Sequence, residues 1–407
     1  METPSQETKF QFPNDFLMGA AASAHQVEGN NINSDWWHWE QAGKLPKSGA
    51  ACDHYNRYPE DFGLARSIGL NAMRISIEWA RIEPKEGRWD SKAIEHYKKV
   101  LQSMKEQGLT RMVTLWHWTL PQWLADKGGF ETKEGIEAFG RYAWFVAQNL
   151  GKEIDLWVTL NEPEVYAMAS YKRGHHPPFK KNLLLTRKVV DNLIEAHKAG
   201  YRAIKQALGP VPIGIAKNFA YFEAYGKNNL LDRLTAYIAD RIGNHYFLQK
   251  IEQYQDFIGL NYYFYNRCKF SWRHGMDEMN RNFTYGQMKL DDQLSRSDMG
   301  WVLHPEGIYH LLLDLKTYKK PIYITENGLA DAADTRRPKF LSETLSWLTK
   351  ALDQGVDLRG YFHWSLTDNY EWHDGFGPRF GLIEVNYATQ ERKIRPSAEI
   401  FKEIKFN

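Results

Sequence analysis

A chain of 407 residues with 52 Lys+Arg against 50 Asp+Glu carries a formal charge of +2, which excludes a nucleic-acid protein held by a phosphate-tracking basic face. Hydrophobic residues at 43% and charged residues at 25% exclude wholesale disorder. No apolar run reaches the roughly 18 residues of a membrane span, and two cysteines, Cys52 and Cys268, cannot form a disulfide framework, so a reducing cytoplasm is the expected compartment.

At the N-terminus, METPSQETKFQFP lacks the basic and apolar regions of a secretion signal. Short, near-continuously apolar runs then alternate with longer amphipathic ones. The first expected strand is FLMGAAAS (16–23), followed by a helix over Pro59–Ile68 and a second strand AMRISI (72–77) that carries Arg74. A helix over Ser91–Gln107 leads to RMVTLW (111–116), and one over Glu134–Leu150 leads to LWVTL (156–160). Thr186–Ala207 precedes PIGIAK (212–217), and Leu231–Tyr254 precedes FIGLNY (257–262). Pro305–Leu315 precedes PIYIT (321–325), and Phe340–Gln354 precedes GYFHWSL (360–366). Eight strands that read as buried on both faces, each after the first reached through a helix, predict an α/β fold, a single (β/α)8 TIM barrel over residues 1–407. Phe264 to Gly300 has no clear periodicity, and a loop of that length usually serves function.

In such a barrel the active site lies at the carboxyl ends of the strands. Strand four closes as LWVTLNEP, placing Asn161 and Glu162 at the mouth, and strand seven closes as PIYITENG, placing Glu326 there. A strand end gives no reason to bury a carboxylate unless its charge is used. Two carboxylates facing across a sugar-sized pocket are what glycoside hydrolysis needs: one protonates the departing oxygen while the other stabilises or attacks the anomeric carbon. Arg74 can reach the same mouth and keep the nucleophile ionised. The 58 aromatics (15 Trp, 22 Tyr, 21 Phe) mostly fill a large core. Those in DWWHWE, TLWHWTLPQW and HWSLTDNYEW sit in polar company, as flat faces that stack on a pyranose do.

The motifs FLMGAAASAHQVEG, NAMRISIEWARIEP, TLWHWTLPQWL, TLNEP, YKRGHHPP, FIGLNYY, HPEGIY, YITENG, HWSLTDNYEW and RFGLIEV occur in that order. Over essentially its full length the chain resembles glycoside hydrolase family 1, the retaining β-glycosidases, and the segment with Thr367 and Tyr370 is similar to the archaeal branch. The resemblance implies Glu162 as general acid/base and Glu326 as nucleophile, with Arg74 and Tyr263 supporting Glu326. It places Gln26, His117, Asn161, Glu371 and Trp372 on the hydroxyls of the bound sugar, and Trp364 under its ring. Met18 stands where the family usually has Trp, and Asn386 where it usually has Asp. Glu164 replaces an apolar or aromatic residue expected to face the aglycone, which puts the leaving-group preference in doubt.

Glycine-rich GFGPRFG (375–381) does not follow a strand as a dinucleotide loop does. His175 and His176 have no carboxylate or Cys at ligand spacing, so no metal is expected, and the Asn282-Phe283-Thr284 sequon lacks a secretion signal to make it relevant. A catalytically silent sugar-binding barrel would be expected to have lost one of the two carboxylates. A 6-phospho-β-glycosidase would need cations and hydroxyls near the 6-position, where this chain has Glu371 and Trp372. The expected activity is thus a retaining β-glycosidase (β-glucosidase type) acting on unphosphorylated terminal β-glycosyl residues, with no cofactor. The expected partners are small β-glycosides or short oligosaccharides, with no nucleic acid and no membrane, and a homo-oligomer stays compatible. Glucose, galactose, fucose and mannose differ in one or two hydroxyl orientations, and all four stay open.

Overall fold

The computed structural model describes residues 10–270 and 295–407. The sequon at Asn282, the first nine residues and the middle of the 264–300 stretch lie outside them. Eight parallel strands close into a barrel in chain order. They are β1 (Leu17–Ala21), β2 (Ala72–Ser76), β3 (Thr110–Trp116), β4 (Leu156–Asn161), β5 (Ile213–Ala224), β6 (Phe257–Cys268), β7 (Ile322–Asn327) and β8 (Leu358–Trp364). Each pairs with the next and β8 returns to β1, so no edge is left. Every expected strand is present. Strands β5 and β6 run about twice their expected length, pairing through Ala224 and Cys268 beyond a register shift at Phe219/Ala220.

The helices form the outer ring, and their apolar stripes face the barrel. Helix α1 (His54–Ser67) starts five residues before its expected position, while α2 (Ser91–Glu106), α3 (Lys133–Leu150) and α4 (Leu183–Leu208) lie where periodicity puts them. In α2 the buried Ile94, Tyr97, Val100, Leu101 and Met104 follow the 3.6-residue repeat, and the Asp90 side chain accepts from the backbone N–H groups of Lys92 and Ala93 as the N-cap. The helix expected over 231–254 is interrupted. Helix α5 (Leu230–Asp240) passes into a π-helical turn at Arg241–His245, then a short helix at Tyr246–Ile251. Helices α6 (Glu306–Leu315) and α7 (Arg337–Asp353) complete the ring.

Side chains fill the barrel interior: small Ala21, Ala72 and Ala216 beside large Phe257, Tyr323 and Phe362, under Trp364. Gly328 follows β7 where a Cβ would fall 1.9 Å from the Trp364 carbonyl oxygen, so only glycine lets these two strand ends meet. Beyond β8, buried Asp368 receives both Nη atoms of Arg395 at 2.9 Å and Nη1 of Arg379 at 3.1 Å. That fork anchors the loop that continues to Glu371 and Trp372. Among the described residues no helix is long and apolar enough to cross a membrane, and Cys52 and Cys268 are free and buried.

Candidate active site

Residue Glu162 directly follows β4, at φ 44° and ψ 56°, with Pro163 opening the next short helix. A left-handed backbone at a bulky residue is costly and persists where the surroundings enforce it. Here the Glu162 backbone N–H donates to Ala216 of β5 at 2.7 Å. Glu326 belongs to β7 and is paired in register with Asn261 of β6 across a bulge. Both carboxyls are buried, at 6% and 4% exposure.

Their surroundings differ. Arg74, 1% exposed in β2, donates from Nη1 to Glu326 Oε1 at 2.5 Å and from Nη2 to Asn161 Oδ1 at 2.7 Å, while its Nε donates to Thr114 at 3.0 Å. The Tyr263 hydroxyl donates to Glu326 Oε2 at 3.0 Å. Among the described residues no cation contacts Glu162; its Oε1 accepts from Asn261 Nδ2 at 2.9 Å, and Asn218 supplies a second amide. Burial pushes both carboxyls up, and on Glu326 the Arg74 charge and the Tyr263 hydroxyl work against that rise. Burial and the neighbouring Glu326 charge push Glu162 up to about 8. The pair therefore keeps its last proton on Glu162.

Around the carboxyls the structure gathers the remaining expected residues. Asn161 Nδ2 faces His117 Nε2 at 3.1 Å. Burial and then Arg74 lower the basicity of His117, so the ring is neutral. With Nε2 accepting from the Asn161 amide, Nδ1 carries the ring proton and faces no protein partner, which suits it to donate to a hydroxyl. His117 lies nearly parallel to Trp364 (centroids 5.8 Å apart, 20°) and to Trp372 (6.1 Å, 17°). Gln26 donates to the Tyr370 carbonyl at 2.9 Å and to Glu371 Oε2 at 3.3 Å. Burial, then Asp374, Glu326 and Glu162, push Glu371 up to about 8. Its carboxyl therefore retains a proton near neutral pH.

Further residues pack around the site. Trp372 (φ 53°) is enclosed by Trp36 at 4.6 Å, Trp118 at 4.9 Å and His25 stacked at 5.7 Å. His176 lies edge-on to Trp36 at 5.0 Å in the same cluster. Trp118 also donates its indole N–H to the Asn161 carbonyl at 3.0 Å. Asn261 joins the two carboxyl neighbourhoods and sits inside the motif FIGLNYY, where only Tyr263 drew notice. Glu164, expected to face the aglycone, is held in an ion pair. Its Oε2 lies 2.7 Å from Lys217 Nζ, which also donates to the carbonyls of Asn218 and Gly243 at 3.0 and 2.6 Å.

The family model "Glycosyl hydrolase family 1" matches residues 8–251 and 242–407. A β-glucosidase A of Acetivibrio thermocellus is 32% identical with 98% of each chain covered, and a β-galactosidase of Pyrococcus woesei is 30% identical with 97% of each covered. Among solved structures, the β-glycosidase from Pyrococcus horikoshii is 39% identical, covers 97% of this chain and 94% of its own, and superposes with a TM-score of 0.88. The β-glucosidase from Thermotoga maritima in complex with glucoimidazole is 30% identical, with 97% and 99% covered and a TM-score of 0.88.

Proposed function

The chain belongs to glycosyl hydrolase family 1 and is a β-glycosidase, and from that premise we propose that Glu162 is its general acid/base and Glu326 its nucleophile. The observation that carries the assignment is the unequal company of the two buried carboxyls: a cation and a phenol on Glu326, and on Glu162, among the described residues, only the neutral amides of Asn261 and Asn218. A nucleophile must start charged, and an acid must start protonated.

In the first half-reaction a Glu326 oxygen attacks the anomeric carbon while Glu162 gives its proton to the glycosidic oxygen. The bond from the anomeric carbon to that oxygen breaks, the aglycone leaves as an alcohol, and the sugar is held as an ester. Losing the Glu326 charge removes the main electrostatic reason for Glu162 to stay protonated. Glu162, now a carboxylate, takes a proton from water. The water oxygen attacks the anomeric carbon, the ester bond breaks, and Glu326 returns as a carboxylate with net retention.

Asn161, with one amide hydrogen uncommitted, is placed to meet the 2-hydroxyl, and His117 Nδ1 to meet a neighbouring one. Trp364 supplies the stacking face. Gln26, Glu371 and Trp372 take the 4- and 6-hydroxyls, which favours an unphosphorylated terminal β-glycosyl group in a small glycoside or short oligosaccharide. The same reading takes residues 1–407 as one barrel domain working in the cytoplasm. Chemical rescue tests the roles. Glu326→Gly with azide should yield the α-glycosyl azide, and Glu162→Ala with azide the β-glycosyl azide; swapped anomers would reverse the assignment.

A further inference from the structure

The geometry points to Asn261 as a positioning residue that confines the acid proton of Glu162 to Oε2 and supports the carboxylate when Glu162 turns base. This inference rests on Glu162 being the acid/base. Asn261 is fully buried at the β6 bulge. Its Nδ2 donates to Glu162 Oε1 at 2.9 Å and to Asn161 Oδ1 at 3.1 Å, and its Oδ1 accepts from the Thr325 hydroxyl at 2.6 Å.

The direction of these bonds follows from Arg74. A guanidinium has donors only, so the atom of Asn161 that meets Nη2 at 2.7 Å must be its oxygen. That oxygen in turn requires a donor from Asn261, which fixes the Asn261 nitrogen on this side and its oxygen toward Thr325. A flipped Asn261 would set its oxygen against Asn161 Oδ1 and against Glu162 Oε1 together. The Asn261 nitrogen has two hydrogens, and both are used. Glu162 Oε1 is therefore held as an acceptor, and because the carbonyl oxygen of a carboxylic acid accepts more strongly than its hydroxyl oxygen, the transferable proton belongs on Oε2. The Arg74 side chain that holds the nucleophile's charge thus also selects, through two amides, which oxygen of the acid is loaded. Because the Asn261 donor persists after proton transfer, it steadies the carboxylate that must next activate water.

The test compares pH profiles of kcat/KM for the wild type, Asn261→Ala, the nearly isosteric Asn261→Asp, and Glu162→Gln. Both Asn261 variants should move the alkaline limb upward by about one pH unit or more, since the donor that favours the charged form is gone. They should lose about tenfold or more on alkyl glycosides, whose leaving groups need the proton, and far less on 2,4-dinitrophenyl glycosides. A purely structural defect would lower both substrates together and leave the limb in place. Glu162→Gln should abolish the limb. If it persists there, the acid/base assignment itself fails. If Glu162→Gln removes the limb but neither Asn261 variant moves it, the role of Asn261 alone is overturned.

Discussion

Replacing Arg74 by Met removes the one cation among the described residues that touches either proposed catalytic carboxyl. Arg74 Nη1 and Glu326 Oε1 are 2.5 Å apart, with side chains 1% and 5% exposed, so neither solvent nor salt replaces the contact. A hydrogen bond to a charged group contributes roughly 1.5–3 kcal/mol, which corresponds to about one to two pH units in the carboxyl it supports. Activity requires Glu326 charged, and the acid limb of kcat/KM marks the loss of that charge. Without Arg74 only hydrogen bonds such as that from Tyr263 oppose burial, protonation becomes easier, and the limb should move to higher pH by that amount. Glu162 is pushed up to about 8, so the active window should narrow from below and the peak rate should fall. Arg74→Lys keeps the charge but cannot reach Glu326 and Asn161 together, and it should shift the limb less. The assay is a pH series with a 4-nitrophenyl glycoside, paired with melting curves to separate folding from chemistry. An acid limb that stays put in a folded Arg74→Met enzyme would refute the claim that this arginine maintains the nucleophile's charge.

Three further outcomes follow from the same contacts. Glu162 and Glu371 both hold protons up to about 8 in the fold, above ordinary carboxyls, so the native state binds the extra protons and stability should fall as pH rises between about 5 and 8; Glu162→Gln and Glu371→Gln should therefore melt higher than wild type at pH 8, with the gap closing by pH 5. Glu164→Leu strips the partner from Lys217, whose side chain is 1% exposed, and should cost about 3 kcal/mol in urea unfolding without altering aglycone preference; an altered preference would restore the aglycone role expected from sequence. Glu371→Ser should lower kcat/KM on the preferred free glycoside ten- to a hundred-fold and weaken the discrimination against 6-phosphoglycosides. A wild-type enzyme that prefers the 6-phospho substrate would contradict the substrate class.

What could be read from sequence divides along physical lines. Strands β4 and β7 are buried on both faces, so continuous apolar runs announce them, and the polar residues that break those runs are the carboxyls at the mouth. The far halves of β5 and β6 escape notice because Tyr221–Ala224 is only half-buried, and a mixed pattern there does not separate strand from loop. The π-helical turn at Arg241–His245 leaves the helical repeat nearly intact, so one long helix was expected where two short ones stand. The contacts of Asn261 and Glu164 escape notice for one reason: their partners lie far along the chain. Asn261 reaches Glu162 and Thr325, 99 and 64 residues away, and Glu164 reaches Lys217 on the next strand of the barrel. Nothing local in either motif encodes those partners. Trp36 and Trp118 stand out in sequence only as aromatics in polar company, and their gathering with His176 around Trp372 appears only in the barrel.

The central claim is that Glu326 carries the sugar covalently. Incubation with a 2,4-dinitrophenyl 2-deoxy-2-fluoro-β-glycoside, followed by peptide mass spectrometry, tests it most directly. The account predicts time-dependent inactivation with one fluorosugar on Glu326, in the peptide containing YITENG, and release of activity when an acceptor alcohol is added. A label on Glu162 or another residue, or full turnover with an α-configured first product and no adduct, would contradict it.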